Sequence, residues 1–224
     1  MKLIRFTGLA LLMAAASFGS DSERRIDHAA SAFQELMRTP DKGIPRDLLE
    51  RANCIIIIPG MKKGAFAFGG KYGRGFAACR GRGAWGAPAG VRVEGASFGL
   101  QIGASSTDVF MLVMNANGMK RLTADKFTLG GEAAAAAGPV GRETSANTDV
   151  LLTAEILTWS RSRGIFAGIS LEGATIRPDG GEKERLYGKR VSNKEIITGG
   201  VRAPRSAHAL TSVLNQYASR HRHT

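Results

Sequence analysis

The sequence has little of what catalysis by common protein motifs requires. Its four histidines are His28, His208, His221 and His223, so the stretch from residue 54 to residue 200 contains none. A Ser-His-Asp or Cys-His triad would have to borrow a histidine from near a chain end. There is also no His-Glu-x-x-His pattern and no Gly-x4-Gly-Lys-Ser/Thr phosphate loop. We therefore expect no catalytic residue, no enzyme activity and no cofactor.

Hydrolysis by a pair of carboxylates is the one catalytic alternative that the composition leaves open. No spacing singles out two acidic residues, and scattered acids are usually solvated or salt-bridged, so this alternative ranks below binding functions. The candidates are Asp108, Asp125, Glu132, Glu143, Asp149, Glu155 and Glu172.

Cysteine is also scarce, with Cys54 and Cys79 as the two examples. There is no Cys-x-x-Cys pair and no histidine close by, so we expect no metal site and no thioredoxin-like redox pair. Two cysteines allow one disulfide, but each also borders an apolar run and would serve equally as a small buried hydrophobe. Both interpretations stay open at this stage.

The uncharged apolar run near the N-terminus is short. It extends over residues 6–19, follows Lys2 and Arg5, and ends in small residues. A bilayer-spanning helix needs about 20 apolar residues, so the run is typical of a cleaved signal peptide over residues 1–19. We therefore expect residues 20–224 to form one exported domain, periplasmic or extracellular, which makes nucleic acid an improbable partner. The oligomeric state stays open.

Acidic residues are outnumbered, with 19 Asp and Glu against 31 Lys and Arg. Removing Lys2 and Arg5 leaves 29 basic against 19 acidic residues, a charge of +10 for the mature chain. An excess of this size predicts an anionic partner. A membrane surface and an acidic polymer both satisfy it.

The apolar pattern predicts an α+β fold. Helical spacing of apolar residues after residue 20 predicts an amphipathic helix that ends near Pro40, and similar spacing predicts a closing helix over residues 206–217. Between them, glycine-punctuated runs predict strands over residues 55–58, 65–69, 75–79, 96–102 and 109–114, and a hairpin over residues 150–171. Residues 119–127 are helix-compatible, residues 133–137 are expected to form a short helix or a tight buried segment, and residues 179–185 are typical of a polar loop. We expect a curved, barrel-like, mainly antiparallel sheet with flanking N- and C-terminal helices.

Six sequence blocks, in order, resemble the SYLF domain family. The resemblance extends from about Arg24 to Leu214. The blocks are Gly69-Gly70-Lys71-Tyr72-Gly73-Arg74-Gly75, Trp85-Gly86-Ala87-Pro88, Gly99-Leu100-Gln101-Ile102-Gly103, Thr107-Asp108, Ala137-Gly138-Pro139-Val140-Gly141-Arg142 and Ser160-Arg161-Ser162-Arg163-Gly164-Ile165-Phe166-Ala167-Gly168.

The resemblance implies a non-enzymatic module that binds acidic phospholipid, such as phosphatidic acid or a phosphoinositide, with cardiolipin and phosphatidylglycerol as further headgroups. Some fungal members of the family bind actin, which is not an expected partner for an exported bacterial chain. Family members also use a basic amphipathic N-terminal helix at the membrane. That helix corresponds here to residues 23–38, although its acidic residues nearly cancel its basic ones.

Residues and resemblance together predict peripheral binding to anionic phospholipid through a basic, glycine-rich surface. The predicted lipid-binding residues are Lys62, Lys63, Lys71, Arg74, Arg80, Arg82, Arg142, Arg161 and Arg163. An N-terminal membrane helix would add Arg24, Arg25, Phe33, Leu36 and Met37, although packing of this apolar stripe on the sheet is the favoured alternative. The competing function is a structural envelope protein that binds lipopolysaccharide or another acidic polymer.

Overall fold

The computed structural model describes residues 5–39, 43–66, 68–81, 83–97, 103–139, 153–162 and 164–218. The helices are α1 (Arg5–Arg38), α2 (Arg46–Arg51), α3 (Ala116–Leu122), α4 (Gly180–Tyr187), α5 (Asn193–Ile197) and α6 (His208–Ala218), with a 3-10 turn over Arg205–Ala207. The strands are β1 (Cys54–Phe66), β2 (Phe68–Cys79), β3 (Ala89–Ser97), β4 (Gly103–Val113), β5 (Phe127–Thr128), β6 (Ala135–Ala137), β7 (Ile156–Ser162), β8 (Ile165–Gly168) and β9 (Thr175–Pro178).

These strands form one curled sheet. Its order is β5-β9-β3-β2-β1-β4-β7-β6, and β8 pairs with β7. Every pairing is antiparallel except that of β6 with β7. An isolated bridge joins Leu129 to Ala133, between the segments that carry the two edge strands. The expected α+β fold, with a curved and mainly antiparallel sheet between N- and C-terminal helices, is confirmed.

Both faces of the sheet are covered. Ile55 and Ile57 face the helical layer formed by α1, α2 and α6, whereas Ile56 and Ile58 face the core on the other side, which includes residues of α3 and α5. A strand buried on both faces needs a continuous apolar run instead of an alternating one. This requirement explains the unbroken Cys54–Ile58 segment at the start of β1.

Helix α1 lies on the sheet through its apolar stripe. Ile26, Ala29, Phe33 and Leu36 are fully buried, and Met37 is partly buried against the same core. Packing of the stripe on the sheet is therefore the observed arrangement. The alternative of a membrane helix that inserts Phe33 and Leu36 is wrong for this structure, because both side chains are already inside the protein.

Cys54 and Cys79 are joined by a disulfide. They are direct partners in the β1–β2 pairing, and both are buried. The bond therefore closes the long β1–β2 hairpin at the end opposite its turn.

The glycine-rich stretch 69–75 lies in strand β2. A Cβ on Gly75 would lie 2.0 Å from the carbonyl oxygen of Ile57, and one on Gly73 would lie 2.4 Å from Cγ2 of Ile58. The register of β1 against β2 shifts between Ile57 and Lys62. These glycines are needed because β1 approaches β2 closely at this irregularity.

Three local predictions differ from the structure. Residues 135–137 form β6 instead of a helix, because they hydrogen-bond beside the buried strand β7. Residues 180–187 form α4 instead of a polar loop, because the Asp179 carboxylate caps the helix by accepting from the Glu182 amide at 3.0 Å. The helix predicted over residues 119–127 is α3, which ends at Leu122. None of the helices in the described part of the chain is long and apolar enough to span a bilayer.

Gly75→Ala tests the close approach of β1 to β2. We expect the variant to lose about 2 kcal/mol or more of unfolding free energy, because the new Cβ meets backbone that cannot move aside easily. Urea denaturation monitored by circular dichroism measures the loss. Gly70→Ala in the same strand is the matched control, because nothing lies within 4 Å of its added Cβ. Equal stability of the two variants would contradict the packing described for β2.

Candidate functional site

Three of the predicted lipid-binding lysines lie together on the β1–β2 hairpin. Lys63 is directly opposite Lys71, and Lys62 is directly opposite Tyr72. Directly opposite residues share a face, so Lys63 and Lys71 are on one face of the hairpin and Lys62 and Tyr72 on the other. Burial lowers the pKa of the Lys71 ammonium, and the charge of Lys63 lowers it further. Two lysines facing each other form a locally unfavourable arrangement that an anion would relieve.

The two large hydrophobic side chains that are exposed in the described chain lie at the same end of the sheet. They are Tyr72, 47% exposed, and Ile165, 73% exposed. In β4, Ser106 pairs with Lys62 while Asp108 pairs with Arg161 of β7, so the β7–β8 turn lies level with the lysines. We call this group the lysine end. It consists of Lys62, Lys63, Lys71, Tyr72 and Ile165.

Arg74, Arg80 and Arg161, the predicted arginines that the structure describes, do not join the lysine end as free charges. Arg74 donates from Nε to Asp179 Oδ2 at 2.5 Å and from Nη2 to Oδ1 at 2.9 Å, and its Nη2 lies 3.2 Å from Glu182 Oε2. Arg25 of α1 donates to the same Oε2 at 2.6 Å. The Glu182 side chain has no exposed surface. We call Arg25, Arg74, Asp179 and Glu182 the Glu182 network.

Asp179 is the acid whose pKa this network changes. Burial acts to raise its pKa, but the hydrogen bonds from Arg74 and from the Glu182 amide outweigh burial and hold the pKa below its usual value. Asp179 is therefore ionised wherever the protein is folded near neutral pH. Its charge fixes the guanidinium of Arg74 and caps α4 at the same time.

Arg161 belongs to a second internal network around Asp108. Its Nε and Nη2 donate to Asp108 Oδ2 at 3.0 and 2.7 Å, and it also pairs with Glu35 of α1. The other oxygen, Oδ1, accepts from the amide of Gly60 at 2.8 Å and lies 3.5 Å from His28 Nε2. Burial lowers the pKa of Arg161. This network holds α1 against β4 and β7.

Arg80 is likewise engaged inside the protein. Its Nε and Nη2 donate to the backbone carbonyls of Ala52 and Leu49 at 3.0 and 2.8 Å, and its guanidinium lies 4.3 Å from the ring centroid of Trp85. The predicted helix residue Arg24 pairs with Asp21 one turn away. Arg82, Arg142 and Arg163 lie outside the described residues.

Sequence blocks that are far apart along the chain meet in these contacts. The Thr107-Asp108 block meets the Ser160–Gly168 block through the Asp108–Arg161 pair. Trp159, next to the latter block, donates to the carbonyl of Pro139 at 2.9 Å, and a Cβ on Gly138 would lie 2.0 Å from its ring. These motif residues therefore build the fold.

The structure also reveals charged residues that the sequence interpretation missed. Arg92 and Glu94 of β3 and Arg177 of β9 share the sheet face of Arg74 and Tyr72. The alternation of Val91 and Val93 with Arg92 and Glu94 was the available signal, since it separates a buried face from a polar one.

No catalytic constellation emerges among the described residues. The segment Gly95-Ala96-Ser97-Phe98-Gly99 has the Gly-x-Ser-x-Gly spacing of a nucleophile elbow. An elbow needs a strand, a sharp turn and a helix, whereas Gly95 and Ser97 pair with β2 inside β3, and the next described element is strand β4. In the same part of the chain, no three His, Cys, Asp or Glu residues are grouped to hold a metal ion.

A family model described as "Ysc84: Las17-binding protein actin regulator" matches residues 94–217, more than half of the chain. The chain belongs to the Ysc84 (SYLF) family. The matched region contains the end of β3, strands β4 to β9, α3 to α5 and all but the last residue of α6. It includes Asp108, Arg161, Asp179 and Glu182 of the two charge networks, whereas Arg25, Glu35 and Arg74 lie before it.

Several eukaryotic proteins are similar to this chain. The chain is 33% identical to LAS seventeen-binding protein 3 of Saccharomyces cerevisiae over 186 residues, which cover 81% of this chain and 40% of the relative. It is 34% identical to Protein YSC84 of the same yeast over 191 residues, or 82% of this chain and 40% of that protein. It is 28% identical to the human SH3 domain-containing YSC84-like protein 1 over 184 residues, or 81% of this chain and 54% of that protein. The matched region thus spans about two-fifths to one-half of these relatives, whose names do not describe enzymes.

Arg74→Gln tests the Glu182 network. We expect a loss of about 3 kcal/mol of unfolding free energy at pH 7. In this variant the Asp179 carboxylate loses its buried positive partner, and the Glu182 carboxylate keeps Arg25 but loses Arg74. The depressed pKa of Asp179 contributes stability above the unfolded value of about 3.9, and that contribution is lost as pH falls through the folded pKa. The gap between wild type and variant should therefore narrow as pH falls below about 4. Urea denaturation at several pH values measures it.

Arg190→Gln is the matched control for this test, because Arg190 is almost fully exposed and lies 3.9 Å from its acidic partner. We expect a change of about 0.5 kcal/mol or less. A gap for Arg74→Gln that stays constant from pH 7 to pH 3 would contradict the assigned role of Asp179.

Proposed function

We propose that this protein docks on membranes that contain anionic phospholipid and carries out no catalytic step. The observation that supports the proposal is the lysine end, where three lysines and two exposed hydrophobic side chains share one end of the sheet. Each basic residue near an anionic leaflet contributes about 1 kcal/mol within a Debye length. Tyrosine and isoleucine add apolar contact at the headgroup level, which salt does not screen.

The lysine end suits this function better than the complete set of predicted basic residues. Arg74, Arg80 and Arg161 are engaged in internal hydrogen bonds, and removing a guanidinium from such partners would leave a buried acceptor or charge unsatisfied. Lysine ammonium groups on flexible stems adapt to mobile headgroups without that cost. The hairpin also presents lysines on both of its faces, so that its end can enter the headgroup layer.

The location proposed for this function is the periplasm or the extracellular space, peripheral at an anionic leaflet. The predicted signal segment over residues 1–19 supports export. The Cys54–Cys79 disulfide supports the same location, because disulfides persist in oxidising compartments.

Replacing the three lysines tests the docking surface. We expect the Lys62→Gln, Lys63→Gln, Lys71→Gln triple variant to bind phosphatidylglycerol-containing vesicles on the order of 100-fold more weakly than wild type, from about 1 kcal/mol per lysine. Vesicle flotation at low and high salt measures the affinity. Because Tyr72 and Ile165 remain, a salt-resistant fraction of binding should survive in wild type and variant alike.

A second triple variant, Lys120→Gln, Lys126→Gln and Lys194→Gln, is the matched control. It lowers the net charge by the same amount at exposed lysines of other elements. Equal weakening by both triple variants would mean that net charge alone attracts vesicles and would contradict a defined docking surface. Complete release of wild type by salt would favour the acidic-polymer alternative instead.

The family description favours protein binding as a second candidate function. It names Las17 binding and actin regulation, and two yeast relatives carry names of that family. An exported chain would not meet actin, so the corresponding partner here would be another envelope protein. This function predicts that wild type floats with no vesicle, neutral or anionic, at any salt concentration.

A further inference from the structure

Three arginines form a row across three adjacent strands. Arg74 of β2 is directly opposite Arg92 of β3, and Arg92 is directly opposite Arg177 of β9. In antiparallel strands, directly opposite residues share a face and their Cα atoms are about 5 Å apart. Like charges at such positions repel each other. The row therefore requires anionic groups to balance it.

The anionic groups in the protein balance this row incompletely. Arg74 has Asp179 and shares Glu182 with Arg25, whereas Arg92 and Arg177 share the single carboxylate of Glu94. The Arg92 Nε lies 2.8 Å from Glu94 Oε1, and the Arg177 Nε lies 3.3 Å from Oε2. The four guanidinium groups of Arg25, Arg74, Arg92 and Arg177 therefore pair with three carboxylates, which leaves an excess of one positive charge.

Hydrogen bonding is incomplete in the same place. Although both Nε atoms are within ion-pair distance of Glu94, neither meets the geometry of a hydrogen bond, so each is a buried donor without an acceptor among the described residues. Buried donors are nearly always satisfied, and exceptions commonly mark an absent ion or water. About 35% of each side chain is exposed, so a small ligand can reach both guanidinium groups.

We propose that Arg92 and Arg177 bind a phosphate dianion. Guanidinium forks bind phosphate oxygens in paired hydrogen bonds, and a tetrahedral group offers oxygens to two forks at once. The phosphate supplies negative charge that Asp179, Glu182 and Glu94 do not provide in full. The phosphate comes either from a soluble phosphomonoester or from a lipid headgroup. The lipid source rests on the proposed function, because Arg92 is two residues behind Glu94, the partner of Tyr72 at the lysine end.

The first test observes the arginine Nε–H groups of the purified protein by two-dimensional NMR during titration with inorganic phosphate, with sodium chloride at matched ionic strength as the reference. We expect saturable shifts for Arg92 and Arg177 that chloride does not produce. In the Arg92→Gln, Arg177→Gln double variant, any remaining saturable effect should be at least tenfold weaker. The Arg190→Gln, Arg205→Gln variant, with the same loss of charge at exposed positions, should keep the wild-type response.

The second test distinguishes the two phosphate sources by comparing vesicles of phosphatidic acid, a phosphomonoester, with vesicles of phosphatidylglycerol at equal surface charge. A lipid source predicts that wild type prefers phosphatidic acid and that Arg92→Gln, Arg177→Gln removes the preference. The same variant should weaken phosphatidylglycerol binding no more than Arg190→Gln, Arg205→Gln, which removes the same charge elsewhere. A soluble source predicts the NMR shifts without that preference. Absence of saturable shifts at Arg92 and Arg177, or equal shifts at Arg190 and Arg205, would overturn the site.

The tests distinguish failure of the phosphate site from failure of the proposed membrane docking. Saturable phosphate shifts in a protein that floats with no vesicle would keep this site and reject membrane docking. The lysine-end triple variant should retain the phosphate shifts of wild type, because its substitutions do not touch the arginine pair. Arg92→Lys with Arg177→Lys keeps the charge but removes the fork, so it should restore less than half of the lost affinity.

Discussion

The buried carboxylate of Glu182 is the constraint on which much of this structure depends. Its side chain has no exposed surface, and an unpaired charge there would cost several kcal/mol. The positive charges of Arg25 in α1 and Arg74 in β2 pair with this carboxylate. Arg74 also donates a hydrogen bond to Asp179, the residue that caps α4. One set of ion pairs therefore links α1, β2 and the turn that leads from β9 into α4.

Arginines and lysines have different roles in this protein. Arg25, Arg74, Arg80 and Arg161 hold elements together, since a planar fork satisfies several acceptors at once. Within the described chain, the lysines at the end of the β1–β2 hairpin have no comparable internal role. Exposed Tyr72 is opposite Lys62, and exposed Ile165 lies at the same end of the sheet, in the β7–β8 hairpin. The net positive charge of the sequence is thus an imperfect guide to function, because several arginines form ion pairs and hydrogen bonds inside the protein.

The sequence predicted the fold class, the first and last helices and the β7–β8 hairpin, because apolar periodicity carries that information. It missed α4, since Asp179-Gly180-Gly181 resembles a loop until the carboxylate is seen to cap a helix. It assigned Arg74, Arg80 and Arg161 to an open surface, because no local pattern reveals partners more than 25 residues away. Lys62, Lys63 and Lys71 were grouped correctly in space, whereas the Arg92–Arg177 pair depends on strand order and was not predicted.

A tryptophan in place of Tyr72, with vesicles that contain brominated lipid, tests membrane docking by the lysine end most directly. The native Trp85 and Trp159 are buried and give little quenching of their own. The account predicts strong quenching for Tyr72→Trp and none for Gln216→Trp, whose neighbour Asn215 contacts Trp85 at the far end of the sheet. Equal quenching at both positions, or none at Tyr72→Trp in a protein that is bound to the vesicles, would contradict docking through the lysine end.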